Sequence, residues 1–432
     1  MAPTLRGPVR SSSTMRKRLG SAITLSRCCS SSMASNIHES IYTYKQMFGR
    51  ALYAERMVDI EPVAVTVDRA VLADLGERLR ATRWPRREAA DTALGPRTAE
   101  LRELCGWWAE GFDWPAAEAR VNRARQLLVR PGGGAGGAAV HVAIHDGDDR
   151  PPLLLLHGWP SSFLEFERLV PLLAPRTVVV ASLPGYGLSE RPAGRWTTRD
   201  TARQLAAVMT TLGHERFVAH GTDWGSAAAT WLALDRPDAV AGLHLSNVDL
   251  GPSLTEDEQP TAEERDHLDR FDAWWRGENG YKEIQATRPG ALAPALLDSP
   301  AGLAAWVLDK WDSWTDPALG PTVAARVGRD ALPELLTWWW ATGTIETSVL
   351  DYADNRAAGT TVLPPGARVE VPTAVARFGR ERGFREDAPR SWLERIYRLE
   401  RWTNMPRGGH FAALEAPDLL AADLMFFADA VS

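Results

Sequence analysis

The residue of this chain best placed to do covalent chemistry is Asp223. It stands in HGTDWGS (His220–Ser226), between the apolar run RFVAH and an alanine-rich helical stretch, with Gly221 two positions before it and Gly225 two positions after. Paired glycines at a strand-to-helix junction permit a turn too tight for larger side chains, and such a turn pushes its central residue out at the carboxyl end of a sheet. An aspartate at a helix start also serves as an ordinary cap, so the glycines matter to the reading. A carboxylate there can attack an sp3 carbon, displace an alkoxide or halide and leave an ester that must then be hydrolysed. The positive end of the following helix keeps the carboxylate ionised, and the Trp224 backbone N–H can serve a developing oxyanion. A second donor, the Trp159 N–H, is expected from HGWP (His157–Pro160), directly after the apolar run PLLLL.

Ester hydrolysis needs a base. Downstream of the first half of the strand series only His267 and His410 are available, and His410, in MPRGGHFAALEAPDLL, has glycines before it and a helix after it. A neutral imidazole there can take a proton from water while an acid orients its far nitrogen. By position the acid comes from the loop after VEVPTAVARF, where Glu381, Glu386 and Asp387 all qualify; Asp249, just past the preceding strand, is a weaker substitute.

The elements that must position these groups are readable as alternation. Residues 1–56 form a leader and 57–135 a helical preface in which VLADLGERLRATRWP and ELRELCGWWAEGFDW place apolar residues three and four apart. After the glycine-rich break Gly132–Gly137, AAVHVAIHD reads as an edge strand and PLLLLHG as a buried one. TVVVASLPG, a helix near Thr198–Leu212, RFVAHG, a helix from Gly225 and AGLHLSN continue the series through residues 136–249. Strands alternating with helices imply an α/β fold with a doubly wound, mostly parallel sheet. Between residues 250 and 368 the strand signal gives way to helical, Trp-rich sequence, expected as a cap inserted over the sheet. Residues 369–432 restore the alternation.

Bulk composition narrows the classes. At 432 residues the chain can bury a sizeable site, and a net charge of -6 without a long basic run in its body speaks against nucleic acid as a partner. No uninterrupted apolar stretch approaches the roughly 18 residues that a membrane span needs, so a soluble chain is expected. Cys28, Cys29 and Cys105 have neither disulfide-framework nor zinc-ligand spacing. No metal or cofactor is expected. The leader carries Arg6, Arg10, Arg16, Lys17, Arg18 and Arg27 among serines and no acid before Glu39, which reads either as an organelle transit peptide or as sequence upstream of a true start at Met33, Met47 or Met57. The expected compartment is cytoplasmic, or organellar if the leader is a transit peptide.

Taken together, HGWPSS, LPGYGLSERP, HGTDWGS, GYKEIQATRPGALAPALLDSPAGLAAWVLDKW and PRGGHFAALEAPDLLAADL resemble the microsomal and juvenile-hormone type epoxide hydrolases of the α/β-hydrolase superfamily. The preface segments RWP and EGFDWPAAEARVN are similar to that family's N-terminal domain, and the resemblance spans about residues 57–430. It implies Asp223 as nucleophile, His410 as base, Glu381 as orienting acid and the Trp159 and Trp224 backbone groups as oxyanion hole. FGRERGF matches the family's acid loop only loosely, which keeps Glu386 and Asp387 open. The family also uses two cap tyrosines to bind and protonate the epoxide oxygen, which maps onto Tyr281 and Tyr352; Tyr397 lies outside the cap in sequence and reads as structural. An alkoxide leaves poorly unless a donor neutralises it, and a phenol stays protonated at working pH.

The implied reaction adds water to a small hydrophobic epoxide to give a vicinal diol, with homodimerisation possible. A haloalkane dehalogenase would use the same aspartate and histidine but cradle a halide, for which the cap tryptophans Trp274, Trp275, Trp306, Trp311, Trp314, Trp338, Trp339 and Trp340 offer N–H groups; most of these are expected to pack the cap core or line an apolar pocket. A non-catalytic ligand-binding protein on the same scaffold is the alternative of a different class.

Overall fold

A computed structural model of the protein describes residues 59–86, 94–132, 138–379 and 388–432. The leader 1–56, most of the glycine-rich break and the loop carrying Glu381, Glu386 and Asp387 lie outside the described residues. Nine strands form one sheet: β1 (Ile60–Pro62), β2 (Arg125–Val129), β3 (Val140–His145), β4 (Asp148–Leu156), β5 (Arg176–Ala181), β6 (Phe217–Thr222), β7 (Val240–Asn247), β8 (Val369–Arg377) and β9 (Tyr397–Asn404), in the spatial order β1-β2-β3-β5-β4-β6-β7-β8-β9. From β5 to β9 every pairing is parallel, and β1, β2 and β3 add antiparallel at one side.

The central strands are apolar on both faces because both are covered: Leu153 to Leu156 of β4 and Val179 of β5 have no solvent exposure. Around the sheet lie α4 (Thr198–Thr211), α5 (Trp224–Asp235), α14 (Arg390–Glu394), α15 (Ala412–Glu415) and α16 (Pro417–Val431), while α1 (Arg69–Arg80), α2 (Thr98–Glu110) and α3 (Trp114–Val121) make up the preface. Local chemistry starts several of these helices where the alternation places them. Thr197 and Asp200 close a capping box at α4, and Asp113 caps α3 ahead of Pro115.

Two features differ from the expectation. The preface is not purely helical, since IEP and RQLLV form β1 and β2. Consequently AAVHVAIHD is not an edge strand: β2 pairs along its outer side and leaves five of the six β3 residues buried. The segments are only three and five residues long, too short to show a strand period beside strong helical patterns. At the other side β9 was also unread, because YRLERWTN is a half-exposed edge strand studded with charges.

Between β7 and β8 the named elements are helical: α6 (Ala262–Glu278), α7 (Gly280–Thr287), α8 (Pro289–Asp298), α9 (Pro300–Trp314), α10 (Val323–Val327), α11 (Ala331–Thr342), α12 (Thr344–Ser348) and α13 (Leu350–Ala358). The preface ties this cap to the sheet. Trp108 Nε1 donates to Thr337 Oγ1 at 2.8 Å in a buried setting, and Arg120 joins Glu334 of the cap (2.6 Å) to Glu167 of the core (2.9 Å). Among the described residues no single helix is long and apolar enough to cross a membrane.

Candidate active site

Asp223 is the only described non-glycine residue with positive φ, at 52°. That backbone costs about 1–3 kcal/mol in isolation, so the surroundings must hold it. They do so through the Asp223 N–H, which donates to Asn247 O (3.2 Å), and the Asp223 carbonyl, which accepts from Ser226 N–H (2.9 Å) and Ser226 Oγ (2.7 Å). The flanking glycines are sterically required. A Cβ on Gly221 would stand 2.3 Å from Gly225 O, and one on Gly225 would stand 2.1 Å from Leu156 O.

The two carboxylate oxygens of Asp223 have different surroundings. Oδ1 accepts from the backbone N–H of Trp224 (2.7 Å) and of Trp159 (2.9 Å), so the two expected donors converge on one atom. Oδ2 lies 3.6 Å from Nε2 of His410. Both side chains are buried, at 8% and 3% exposure, which strengthens every charge interaction between them relative to water.

His410 is held by its own loop and by the cap. Its N–H donates to Trp314 O (2.8 Å), Gly408 N–H to Asp316 Oδ2 (3.0 Å), and Gly409 and Phe411 N–H to the two oxygens of Glu415 (3.0 Å each). Glu415 also accepts from the Asp316 N–H (2.7 Å), so one buried carboxylate ties the base loop to the cap segment after α9. Sequence reasoning missed Glu415 and Asp316. A signal existed, an acid five residues after the histidine, but its partner lies 99 residues away.

At the far side of the imidazole, Nδ1 stands 2.5 Å from the carboxamide nitrogen of Asn247, another residue that sequence reasoning missed. Turning that carboxamide over presents its oxygen to an Nδ1–H, the tautomer that leaves Nε2 free to take a proton. Asn247 ends β7 opposite Thr222 of β6, at the sheet edge that also carries Asp223. Asp249 is half-buried and donates its N–H to Ser226 Oγ (3.0 Å). Asp249 lines a cavity of about 420 Å³ together with Asn247, His267 and Phe271. His267, buried on α6, lines that cavity away from the Asp223–His410 pair.

The cap brings Tyr281 of α7 and Tyr352 of α13 together beside Trp159 and Trp224, with ring centres 5.9 Å apart and both residues buried. Trp159 stacks on Tyr281 (5.2 Å, 6° between planes) and meets Tyr352 edge-on at 5.7 Å; Trp224 meets Tyr352 at 5.0 Å. The residues whose N–H groups grip Asp223 thus carry the two phenols on their indole rings. Burial, then the neighbouring Tyr281 phenol and the Asp223 carboxylate, hold the Tyr352 hydroxyl well above its ordinary pKa, so it remains a donor throughout the working range. Trp314 completes the wall, 4.7 Å from the His410 ring and 5.5 Å from Tyr281. Tyr397 lies elsewhere, at the start of β9, fully buried with its hydroxyl 2.9 Å from Thr230 Oγ1.

Glu165 is a buried acid near this pair that the sequence did not single out. Burial pushes its carboxyl up to about 7, with a further upward contribution from Asp223 and Glu415 and opposing ones from Ser161 and His410. A carboxyl raised on folding binds more protons folded than unfolded between its ordinary value and 7, so its ionisation destabilises the fold as pH rises through that window. Glu165→Gln is therefore expected to match wild type in urea unfolding near pH 4.5 and to exceed it by up to about 3 kcal/mol above pH 8. Equal stability of the two proteins at both pH values would contradict a buried, reluctantly ionised Glu165.

Comparison with known proteins identifies the family. The family model described as epoxide hydrolase N terminus matches residues 60–166, and that of the alpha/beta hydrolase fold matches 151–289. A putative epoxide hydrolase of Stigmatella aurantiaca is 35% identical, covering 84% of each chain, and epoxide hydrolase 1 of Sus scrofa is 32% identical over 85% of this chain and 88% of its own. The chain belongs to the microsomal and juvenile-hormone type epoxide hydrolase family. Among solved structures, the juvenile hormone epoxide hydrolase of the silkworm Bombyx mori superposes with a TM-score of 0.75 at 26% identity, covering 86% of this chain and 94% of that one. For an epoxide hydrolase family member, the β1–β2 addition and the three preface helices fall within the matched N-terminal segment, which extends past residue 135 and through β4 to residue 166.

Proposed function

We propose that the protein hydrolyses hydrophobic epoxides to vicinal diols through an ester on Asp223. The observation that carries this reading is the division of labour on one carboxylate: Oδ1 is occupied by two backbone donors, and Oδ2 faces the base. Oδ2 is then the attacking atom. It forms a bond to an epoxide carbon, the C–O bond breaks, and the epoxide oxygen takes the electron pair while Tyr281 and Tyr352 donate hydrogen bonds to it. Oδ1 becomes the ester carbonyl oxygen, already seated between the Trp159 and Trp224 N–H groups. Water gives a proton to His410 Nε2 as it attacks Cγ, the tetrahedral oxyanion develops on Oδ1 in that same site, and on collapse the imidazolium protonates the departing Oδ2. The second water proton replaces the one taken by the former epoxide oxygen, and the diol leaves with the original Oδ2.

In this reading the acid that orients His410 comes from Glu381, Glu386 or Asp387, with the Asn247 carboxamide at Nδ1 beside it. The aromatic wall of Trp159, Trp224 and Trp314 favours substrates that are apolar around the epoxide.

A halide-releasing reading has one observation in its favour. The indole N–H groups of Trp159 and Trp224 are buried with no described hydrogen-bond partner. Those of Trp306, Trp311 and Trp314 are engaged, by Gln285 (2.9 Å), Pro160 O (2.9 Å) and Glu278 (3.2 Å). The two readings separate in one assay, in which purified protein is given styrene oxide and, separately, a chloroalkane of similar size. Diol from the epoxide is the expected result; chloride release without diol would replace the epoxide reading by the dehalogenase one.

The phenols give a further test. Tyr281→Phe and Tyr352→Phe are each expected to lower kcat/KM for styrene oxide about 10- to 100-fold, and the double variant about 10³-fold or more, as general-acid losses do. Single variants within twofold of wild type would remove the tyrosines from the reaction.

A further inference from the structure

Lys310 is a buried cation that the reaction as described does not use. It lies on α9 with 6% exposure, its ammonium paired with Glu278 and with Asp309 (2.9 Å). The same ammonium sits 4.9 Å from the ring centre of Tyr281 and 5.8 Å from that of Trp314. Burying a lysine is costly, and a buried ion pair contributes little net stability, so packing alone is a poor reason for one beside an active-site phenol.

The two tyrosines differ in what surrounds them. Tyr352 faces the Tyr281 phenol and the carboxylates of Asp223 and Asp249, all of which hold its proton in place. Tyr281 has an ammonium within 5 Å of its ring. A cation over an aromatic ring attracts a phenolate more strongly than a phenol, and only that difference between ground and transition state alters a rate.

We propose that Lys310 is a positioning residue that makes Tyr281 the phenol from which the opening epoxide takes its proton, while Tyr352 keeps its own and holds a hydrogen bond. This rests on the epoxide reading above. As the Oδ2–carbon bond forms and the C–O bond breaks, the oxygen receives the proton of Tyr281 Oη. The resulting phenolate is stabilised by the Lys310 ammonium until the second proton of the hydrolytic water restores it. Glu278 and Asp309 oppose this effect, since their carboxylates offset the lysine charge.

The test measures the rate of ester formation by rapid quench and intact mass, with styrene oxide as probe and every variant carried in a His410→Gln background so that ester accumulates. Lys310→Met is expected to slow ester formation about tenfold, a barrier change of about 1.4 kcal/mol. Lys310→Arg restores it to within about threefold, because charge is retained over the ring. Glu278→Gln breaks the same ion pair yet leaves the rate unchanged or raises it. In a Tyr281→Phe background Lys310→Met adds no more than about twofold, as expected of a residue acting through that phenol. Should Lys310→Met not fold, Lys310→Met with Glu278→Gln removes both charges and carries the same expectation. Equal slowing by Lys310→Met and Glu278→Gln, or a full tenfold loss on top of Tyr281→Phe, would show a structural ion pair and overturn the proposal. If Tyr281→Phe alone leaves ester formation unchanged, the epoxide reading of the site fails first, and the lysine data are not needed to see it.

Discussion

Asp223→Asn is expected to form no covalent ester and to lose roughly 10⁴- to 10⁶-fold in kcat, the scale seen when a nucleophile is removed from a site that acts as a unit. The fold should tolerate the change. The asparagine side-chain oxygen still accepts from the Trp159 and Trp224 N–H groups that Oδ1 engages at 2.9 and 2.7 Å, and the backbone bonds to Asn247 and Ser226 do not involve the side chain. What is lost is the negative charge on the atom facing His410. The measurement pairs intact-mass spectrometry after substrate addition with a thermal unfolding curve. Sustained turnover by a folded variant that keeps its asparagine would remove Asp223 from the chemistry.

His410→Gln has a different expected phenotype, and the difference tests the order of steps. In the proposed mechanism the attack uses Oδ2 of Asp223 and the phenols, so a first equivalent of ester should form within about tenfold of the wild-type rate. Hydrolysis in that mechanism needs Nε2, which lies 3.6 Å from Oδ2. Steady-state turnover should therefore fall about 10³-fold or more while protein-bound substrate accumulates to one equivalent. A variant that neither turns over nor labels would place His410 in the first step instead, as a group that holds the carboxylate for attack.

How far the sequence alone reaches depends on whether a feature is local. The turn at Asp223 is local: its glycines, its preceding strand and its alanine-rich helix lie within about twenty residues, and the close approach inside it, 2.3 Å from a Cβ on Gly221 to Gly225 O, involves residues four apart. The parallel sheet was legible for the same reason, since each strand and the helix after it are adjacent in sequence. Features made by distant segments were not legible. Asn247 reaches His410 across 163 positions, and Glu415 reaches Asp316 across 99, with no pattern in either stretch to pair them. The short β1 and β2 were hidden for a related reason, as only pairing onto β3 makes them strands.

The cap shows the same division. Its helical character was plain, yet the roles of its eight tryptophans were not, because helical periodicity reports which residues are buried and not what they bury against. Trp314 proved to bridge His410 and Tyr281, whereas Trp311 packs on Phe411 at 4.5 Å and holds Pro160. Tyr281 and Tyr352, 71 positions apart in sequence, meet only because α7 and α13 pack together and place both rings on Trp159.

A single turnover in H₂¹⁸O, with enzyme in excess over epoxide, tests the central claim most directly. The account predicts that the diol emerges without label, having taken its oxygen from Oδ2, and that one ¹⁸O appears in the peptide containing Asp223. Label found in the diol, with Asp223 unlabelled, would mean that water attacks the epoxide directly and that the aspartyl ester does not lie on the path.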